Sequence, residues 1–394
     1  MFFGGIDMYN VALIRYGEIV LKGNNRSKFE KKLVDNVKYA LREEDVKVTF
    51  SQARLYVEPT DPMDLDRVIN KLKKVFGIVS ISPAVKVESD WEKIKETAAK
   101  LMEEENLGKT FKVEARRGDK SFPLQSMEIA REIGGHVLKN VRGLKVDVTN
   151  PETLLTIEVR ESTYVYIEKI PALGGMPVGT NGKGLLLVSG GIDSPVAGFM
   201  LARRGVEIDA LHFFSPPYTG VKAREKVIEL CKIVSTYSGK INLYIANFTE
   251  PQLAIRDNCP AEQMVLLMRR IMMRVAERVA NEKGCDALIT GENIGQVASQ
   301  TMKSIVATND VVNIPVFRPL IGMDKNDIID IAKKIGTFET SILPYEDCCT
   351  IFVPKHPETQ PKIEKLEKSE QHLDIEGIVE EVINNLELVV IKNN

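Results

Sequence analysis

The sequence predicts an α/β protein built as three successive units, the last of them a doubly wound, Rossmann-like parallel sheet. Three observations lead there. A fully apolar run, Leu185-Leu186-Leu187-Val188, feeds into Ser189-Gly190-Gly191-Ile192-Asp193-Ser194-Pro195. That is the pattern of a strand buried on both faces, a tight loop and a helix that starts at proline. From there to residue 290 strand and helix patterns alternate, as crossover-connected parallel strands require. Ahead of it lie two further α/β patterns, cut off by residues 171–184, which hold two Pro and five Gly with scarcely any charge. Such composition marks a linker. The expected units are residues 1–84, 85–170 and 185–394.

Composition excludes several classes. With 44% hydrophobic and 27% charged residues the 394-residue chain reads as an ordinary globular protein with room for two or three cores. No apolar run approaches the ~20 residues of a membrane span, and Met1-Phe2-Phe3-Gly4-Gly5 is too short for a signal-peptide core and has no basic n-region. Five cysteines, an odd number, make no disulfide framework and point to a reducing, cytoplasmic compartment. The net charge of -2 does not itself suggest a polyanion partner, but residues 109–145 carry nine Lys and Arg against four Asp and Glu. That local excess is the footprint expected of nucleic-acid contact, or of a solvated basic face.

In the first unit, residues 10–16 are strand-like, 26–42 helical, 46–51 and 54–58 alternating, 64–76 helical, and a short strand near 78–81 closes it. The order β-α-β-β-α-β is that of a ferredoxin-like sandwich. Lys22 and Arg26, between the first strand and helix, either meet phosphate or belong to a polar connector that caps the helix. In the second unit, residues 91–105 form an amphipathic helix, 110–115 a strand, 126–139 a helix, and 154–159 and 164–169 two strands. Between strand and helix lies Arg116-Arg117-Gly118-Asp119-Lys120-Ser121-Phe122-Pro123. Arg116, Arg117 and Lys120 on a turn beside an exposed aromatic suit phosphate contacts with stacking on a ribose or base.

The third unit continues with a helix over 195–204, a strand over 207–213, a helix over 224–238, a strand over 241–248, a long helix over 261–283 and a strand over 286–290. Ligands of such sheets bind at the carboxyl ends of the strands. There the loop offers Gly190 and Gly191, able to take positive φ and admit an anion to backbone amides, with the hydroxyls of Ser189 and Ser194 beside a helix N-terminus. Asp193 inside an anion cradle makes sense with Mg²⁺ between it and the phosphates. The loop lacks the Lys of a Gly-x-x-x-x-Gly-Lys-Ser/Thr motif. His212 and Phe213 end the second strand, where Phe213 suits stacking on adenine and His212 is either a ligand-side group or a satisfied histidine at the sheet rim. Gly291 ends the fourth, where it lets backbone approach a ribose, and Gln300 follows. Of Arg269 and Arg270, within a Met- and Leu-rich helix, one guanidinium is expected to face a phosphate. Cys259, ahead of a helix N-terminus, is a candidate for a depressed pKa. No Cys-x-x-Cys pair or His-rich spacing supports zinc, and an iron–sulfur site of Cys259, Cys348 and Cys349 has no spacing support.

The Ser-Gly-Gly-Ile-Asp-Ser loop resembles the pyrophosphate loop of the ATP-pyrophosphatase superfamily, whose members adenylate a carbonyl oxygen. The strand, basic turn, Phe-Pro and helix resemble the RNA-binding THUMP domain. In this order, with the Pro344-Tyr345-Glu346-Asp347-Cys348-Cys349 segment, they make the chain similar to the tRNA sulfurtransferase (4-thiouridine synthetase, ThiI-type) family over nearly its whole length. The resemblance implies adenylation of uridine at position eight of tRNA and replacement of its O4 by sulfur, with service in thiamine thiazole synthesis in many members. It implies ATP contacts at Leu187, Val188, His212, Phe213, Arg269, Gly291 and Gln300, and pyrophosphate at Ser189, Gly190, Gly191, Asp193 and Ser194. A cysteine of this domain assists sulfur transfer in the family; Cys349, followed by Thr350-Ile351, fits best and Cys348 is the rival. Some members carry a C-terminal rhodanese domain, for which the acidic stretch 362–394 is too short, so sulfur is expected from an external cysteine desulfurase or from sulfide. A homodimer would let one copy present RNA to the other. The competing readings are another adenylating base-modification enzyme, an RNA-binding adaptor with a dead nucleotide site, and a small-molecule ligase.

Overall fold

The computed structural model describes residues 8–105, 108–345 and 357–392, which form two compact units divided between Gly175 and Met176. In the first unit the elements are β1 (Val11–Tyr16), α1 (Arg26–Ala40), β2 (Val46–Ser51), β3 (Arg54–Pro59), α2 (Leu65–Leu72), β4 (Ile78–Val87), α3 (Trp91–Glu105), β5 (Thr110–Arg117), α4 (Ser126–Asn140), β6 (Lys145–Val146), β7 (Thr153–Val159), β8 (Thr163–Tyr166) and β9 (Ile170–Pro171). Among the described residues they make one nine-stranded sheet, ordered β2-β3-β1-β4-β8-β7-β5-β6 with β9 also on β4. The strand expected to end near residue 81 runs on to Val87. Its first half pairs antiparallel with β1 (Leu13↔Ser82) and its last three residues with β8 (Val85↔Val165), so one strand serves both α/β patterns. Helical spacing explains the cover: α1 buries Leu33 and Val37, α2 buries Leu65, Val68, Ile69 and Leu72, and α4 buries Ile129, Ile133 and Val137. All join one apolar core. The start of α4 is set by Glu128, whose carboxylate accepts the Gln125 N–H at 2.7 Å.

The second unit contains β10 (Lys183–Leu187), α5 (Asp193–Arg203), β11 (Glu207–Phe214), α6 (Val221–Ser238), β12 (Ile241–Asn247), α7 (Thr249–Asn258), α8 (Met264–Glu282), β13 (Ala287–Ile289), α9 (Met302–Asn309), β14 (Val316–Phe317), α10 (Lys325–Ile335), α11 (Phe338–Ser341), α12 (Ile363–Glu370), α13 (Ile375–Asn384) and β15 (Glu387–Ile391). Its six-stranded sheet has the order β14-β13-β10-β11-β12-β15. All pairings are parallel except that of β15, which closes the edge antiparallel to β12 (Ile241↔Ile391). The chain winds outward from β10 through β11 to β12, then returns to the other side of β10 as β13. The loops after β10 and β13 therefore open a crevice between them, the switch point where such sheets bind ligands.

The stretch read only as acidic from its composition folds as α12, α13 and β15. Leu366, Val379 and Val382 are buried in the core with Leu267, Ile271 and Val275 of α8. Glu370 is the ionic part of this docking. It accepts Arg270 Nε at 2.9 Å and Nη2 at 3.0 Å, and Arg274 Nη1 at 2.7 Å and Nη2 at 2.9 Å, with Arg270 only 1% exposed. Arg270 is thus a structural residue. Burial alone would raise the Glu370 pKa; the hydrogen bonds and charges of the two arginines outweigh it and hold the carboxyl below the ordinary range. Since the folded pKa is the lower one, this stabilisation is complete above the unfolded glutamate value of about 4.3 and is lost as pH falls through the folded value. Glu370→Gln takes from the buried Arg270 its bidentate carboxylate, leaving only Asp310 at 3.4 Å, and is expected to destabilise the second unit by about 3 kcal/mol in urea unfolding at neutral pH, with a smaller deficit in acid.

Candidate active site

The loop after β10 is held shut by its own hydroxyls. Ser189 N–H donates to Ser194 Oγ at 2.9 Å, Ser194 Oγ donates to the Ser189 carbonyl at 3.2 Å, and Gly191 N–H lies 3.4 Å from Ser189 Oγ. The α5 axis begins at Asp193, which directs its N-terminal amides at the loop. Neither Gly190 nor Gly191 takes the positive φ expected of them. At Gly190 an added methyl group would meet the Lys226 side chain at 3.4–3.5 Å, an ordinary contact, so the Lys226 stem runs beside this part of the loop. Gly291 is confined more tightly: a Cβ there would stand 2.8 Å from Ser194 N and 2.9 Å from Asp193 C.

Between these loops is a cavity of about 510 Å³. Leu187, Leu211, Phe213, Val265, Met272 and Met273 make its apolar wall, and Ser189, Asp193 and Ser194 its polar end. Its size and this division suit a ligand with a flat apolar group and an anionic tail. Of the residues predicted for nucleotide contact, Leu187, Val188, Ser189, Asp193, Ser194, His212, Phe213, Arg269, Gly291 and Gln300 line this cavity. Gly190 and Gly191 stand in the same loop without lining it. Phe213 is held by an edge-on contact with Phe248, ring centroids 5.1 Å apart, and His212 is buried with Nδ1 3.1 Å from the Val188 carbonyl. That contact ties the histidine to the rim beside the loop. Gln300 closes its own turn, its carbonyl accepting the Gly295 N–H and its Oε1 accepting the Asn293 N–H at 3.3 Å.

Charge at the site is paired. Arg269 donates to the Ser299 carbonyl at 2.8 Å and to Glu292, which also accepts Arg318 Nε at 2.7 Å and Thr290 Oγ1 at 3.0 Å. Burial pushes the Glu292 pKa up, and the two arginines and the hydroxyl more than offset it, leaving an anionic carboxylate. Asp193 accepts Lys325 Nζ at 2.6 Å and Gln296 Nε2 at 2.8 Å. Lys325 is carried there as the first residue of α10, whose N-cap Asp324 accepts the Asn326 N–H. Lys226, Lys325 and Arg318 were not selected from the sequence. Only Lys226 left a trace there, as a lysine within the apolar stripe of Ala223, Val227, Leu230 and Val234.

Cys348 and Cys349 lie outside the described residues. Among the described cysteines, Cys259 does not have the depressed pKa expected; burial, with the nearby Glu370 charge, raises it. The buried thiols Cys231 and Cys285 are pushed up to about 12 and about 11. No group of three His, Cys, Asp or Glu among the described residues is placed to hold a metal by itself, and no described helix is long and apolar enough to cross a membrane.

On the first unit, Arg116 near the end of β5 and Lys120 in the turn that follows are exposed, while Arg117, the last residue of β5, donates to the Phe122 carbonyl at 3.2 Å and the Leu124 carbonyl at 3.4 Å. The aromatic expected to be exposed is not. Phe122 is 8% exposed and packs edge-on against Trp91 in the core, so it cannot stack on a base; its apolar area is worth more under α3. Arg26 is held by Glu30 at 2.7 Å and by the Tyr16 hydroxyl at 3.1 Å, and Lys22 lies over the Phe29 ring.

The thiamine biosynthesis protein (ThiI) family pattern matches residues 179–375, the ThiI ferredoxin-like domain 11–82 and the THUMP domain 88–168. A probable tRNA sulfurtransferase of Acetivibrio thermocellus is 57% identical over 98% of this chain and 99% of its own length. The chain belongs to the tRNA sulfurtransferase family. Another member, from Alkaliphilus metalliredigens, is 55% identical over 97% of this chain and 98% of its own. The crystal structure of a 4-thiouridine synthetase–RNA complex with bound ATP superposes with a TM-score of 0.91 at 40% identity, covering 98% of this chain and 100% of that one.

Gly291→Ala forces the β13 loop away from the first turn of α5, against backbone that cannot yield. A loss of about 1–3 kcal/mol, read as a lower melting temperature, is expected together with weaker binding of adenine nucleotides.

Proposed function

We propose that this chain adenylates uridine at position eight of tRNA with ATP and replaces the uridine O4 with sulfur, giving 4-thiouridine. The observation that carries the reading is the cavity at the switch point, apolar at one end and closed by the Ser189–Ser194 loop and Asp193 at the other. It has the chemistry of a purine pocket joined to a phosphate cradle. Family membership and the ATP and RNA held by the similar 4-thiouridine synthetase support the same assignment.

Adenine would lie against Phe213, Leu211 and Met272, with its phosphates toward Ser189, Ser194 and the α5 N-terminus. Uridine O4 attacks the α-phosphorus and pyrophosphate departs, which turns a poor oxygen leaving group into AMP. Hydrosulfide then adds at C4 and AMP leaves; where a persulfide is the donor, its terminal sulfur adds instead and a second thiol cleaves the S–S bond, leaving a disulfide. Amides aimed at the pyrophosphate stabilise the charge that grows on it. A single carboxylate beside a phosphate cradle fits Mg²⁺, which is commonly held by one or two carboxylates and substrate phosphates. Asp193 would hold it, where it would neutralise pyrophosphate charge. Lys325 and Gln296 keep that carboxylate aimed at the loop. Cys349, with Cys348 as the alternative, is the thiol assigned to sulfur transfer, and a cysteine desulfurase or sulfide is the source. The same sulfur transfer could serve thiazole synthesis, in keeping with the family description. The reading sets the reaction in the cytoplasm. It also includes a homodimer in which one copy presents tRNA to the other; a monomeric mass by light scattering with tRNA bound removes that part.

ATP–pyrophosphate exchange and AMP release with unmodified tRNA test the chemistry. Wild type should adenylate tRNA, Asp193→Ala should not, and Cys349→Ser should adenylate without transferring sulfur. AMP formed equally without RNA would make the protein a small-molecule ligase. Binding of tRNA should weaken steeply with salt, and Arg116→Ala with Lys120→Ala should lower the slope of log affinity on log salt by roughly 2, one contact each. An unchanged slope removes the basic turn from the interface.

A further inference from the structure

We propose that Lys226 supplies the cation that the loop sequence lacks, contacting the nucleotide's phosphates while holding the segment that leads into Cys348-Cys349. The proposal rests on the nucleotide reading above. Lys226 lies on the apolar face of α6 and is 6% exposed, although lysine is seldom buried without a polar or anionic role. Its side chain runs along the loop: a methyl group on Gly190 would stand 3.4 Å from its Cδ and 3.5 Å from Cε and Nζ. The ammonium therefore stands about one methyl group away from the Gly190 backbone, in the cradle assigned to pyrophosphate.

Nζ also donates to the Leu343 carbonyl at 2.8 Å. The same carbonyl accepts the Tyr345 N–H at 2.8 Å. One turn earlier on α6, the Lys222 ammonium lies 5.8 Å from the centre of the Tyr345 ring. Residues 343–345, just ahead of the cysteine pair in sequence, are thus held to α6 at two points four residues apart. An ammonium has three donors in a rotatable head, so one Lys226 can hold Leu343 and meet an anion in the loop. Lys226 is in this sense a phosphate-binding residue and, through Leu343, a positioning residue for residues 343–345.

Full-length wild type, Lys226→Met and Lys226→Arg are compared by thermal melting against inorganic pyrophosphate with Mg²⁺ and, separately, adenosine. Lys226→Met should weaken pyrophosphate 10- to 100-fold, as expected for a lost charged hydrogen bond, and leave adenosine unchanged; Lys226→Arg should recover most of the loss. On wild type, pyrophosphate but not adenosine should slow hydrogen exchange at the Tyr345 amide, a readout independent of whether a variant folds. Equal pyrophosphate affinity in Lys226→Met, equal weakening of both ligands without rescue by Arg, or an unprotected Tyr345 amide would overturn the proposal. Wild type that binds neither ligand would instead overturn the nucleotide site itself.

Discussion

A methyl group on Gly291 would stand 2.8 Å from the Ser194 nitrogen, so the cavity of the second unit depends on one backbone passing another with no side chain between them. The contact exists because the sheet reverses its winding at β10, which sets the ends of β10 and β13 side by side. The loop after the first carries hydroxyls and amides, and the loop after the second carries the Glu292 cluster. Separating them by the width of a methyl group would widen the crevice and disconnect the apolar wall from the polar end.

Electrostatics then decides which groups remain available. Glu292 is occupied by Arg269, Arg318 and Thr290, and Glu370 by Arg270 and Arg274. Two adjacent arginines on α8 therefore face different elements and have different tasks. Arg270 fastens the C-terminal helices to the core. Arg269 borders the cavity, orienting Glu292 and the turn at Ser299. Asp193 is the carboxylate of the loop itself, and its partners Lys325 and Gln296 come from chain segments more than a hundred residues away.

Local chemistry made much of this legible. An uninterrupted apolar run followed by Ser-Gly-Gly-Ile-Asp-Ser is the pattern of a buried strand entering a phosphate-type loop, and α3 has the ends that periodicity indicates. The failures had physical causes too. Phe122 was read as exposed because its neighbours are charged, yet the turn folds it inward onto Trp91. The stretch beyond residue 362 was read only as acidic because glutamate dominates its charge, while the apolar positions that dock it lie among the glutamates.

What the sequence determined by itself was the succession of elements, the loop and the candidate residues on either side of the switch point, since these follow from periodicity and from residue types a few positions apart. The tertiary structure alone decided that β4 is common to both halves of the first sheet, that β15 closes the second, and that Lys226, Lys325 and Arg318 belong to the site. The physical reason is distance along the chain. A buried lysine or an ion pair acquires its meaning from the partner that packing brings to it, and no local pattern names that partner.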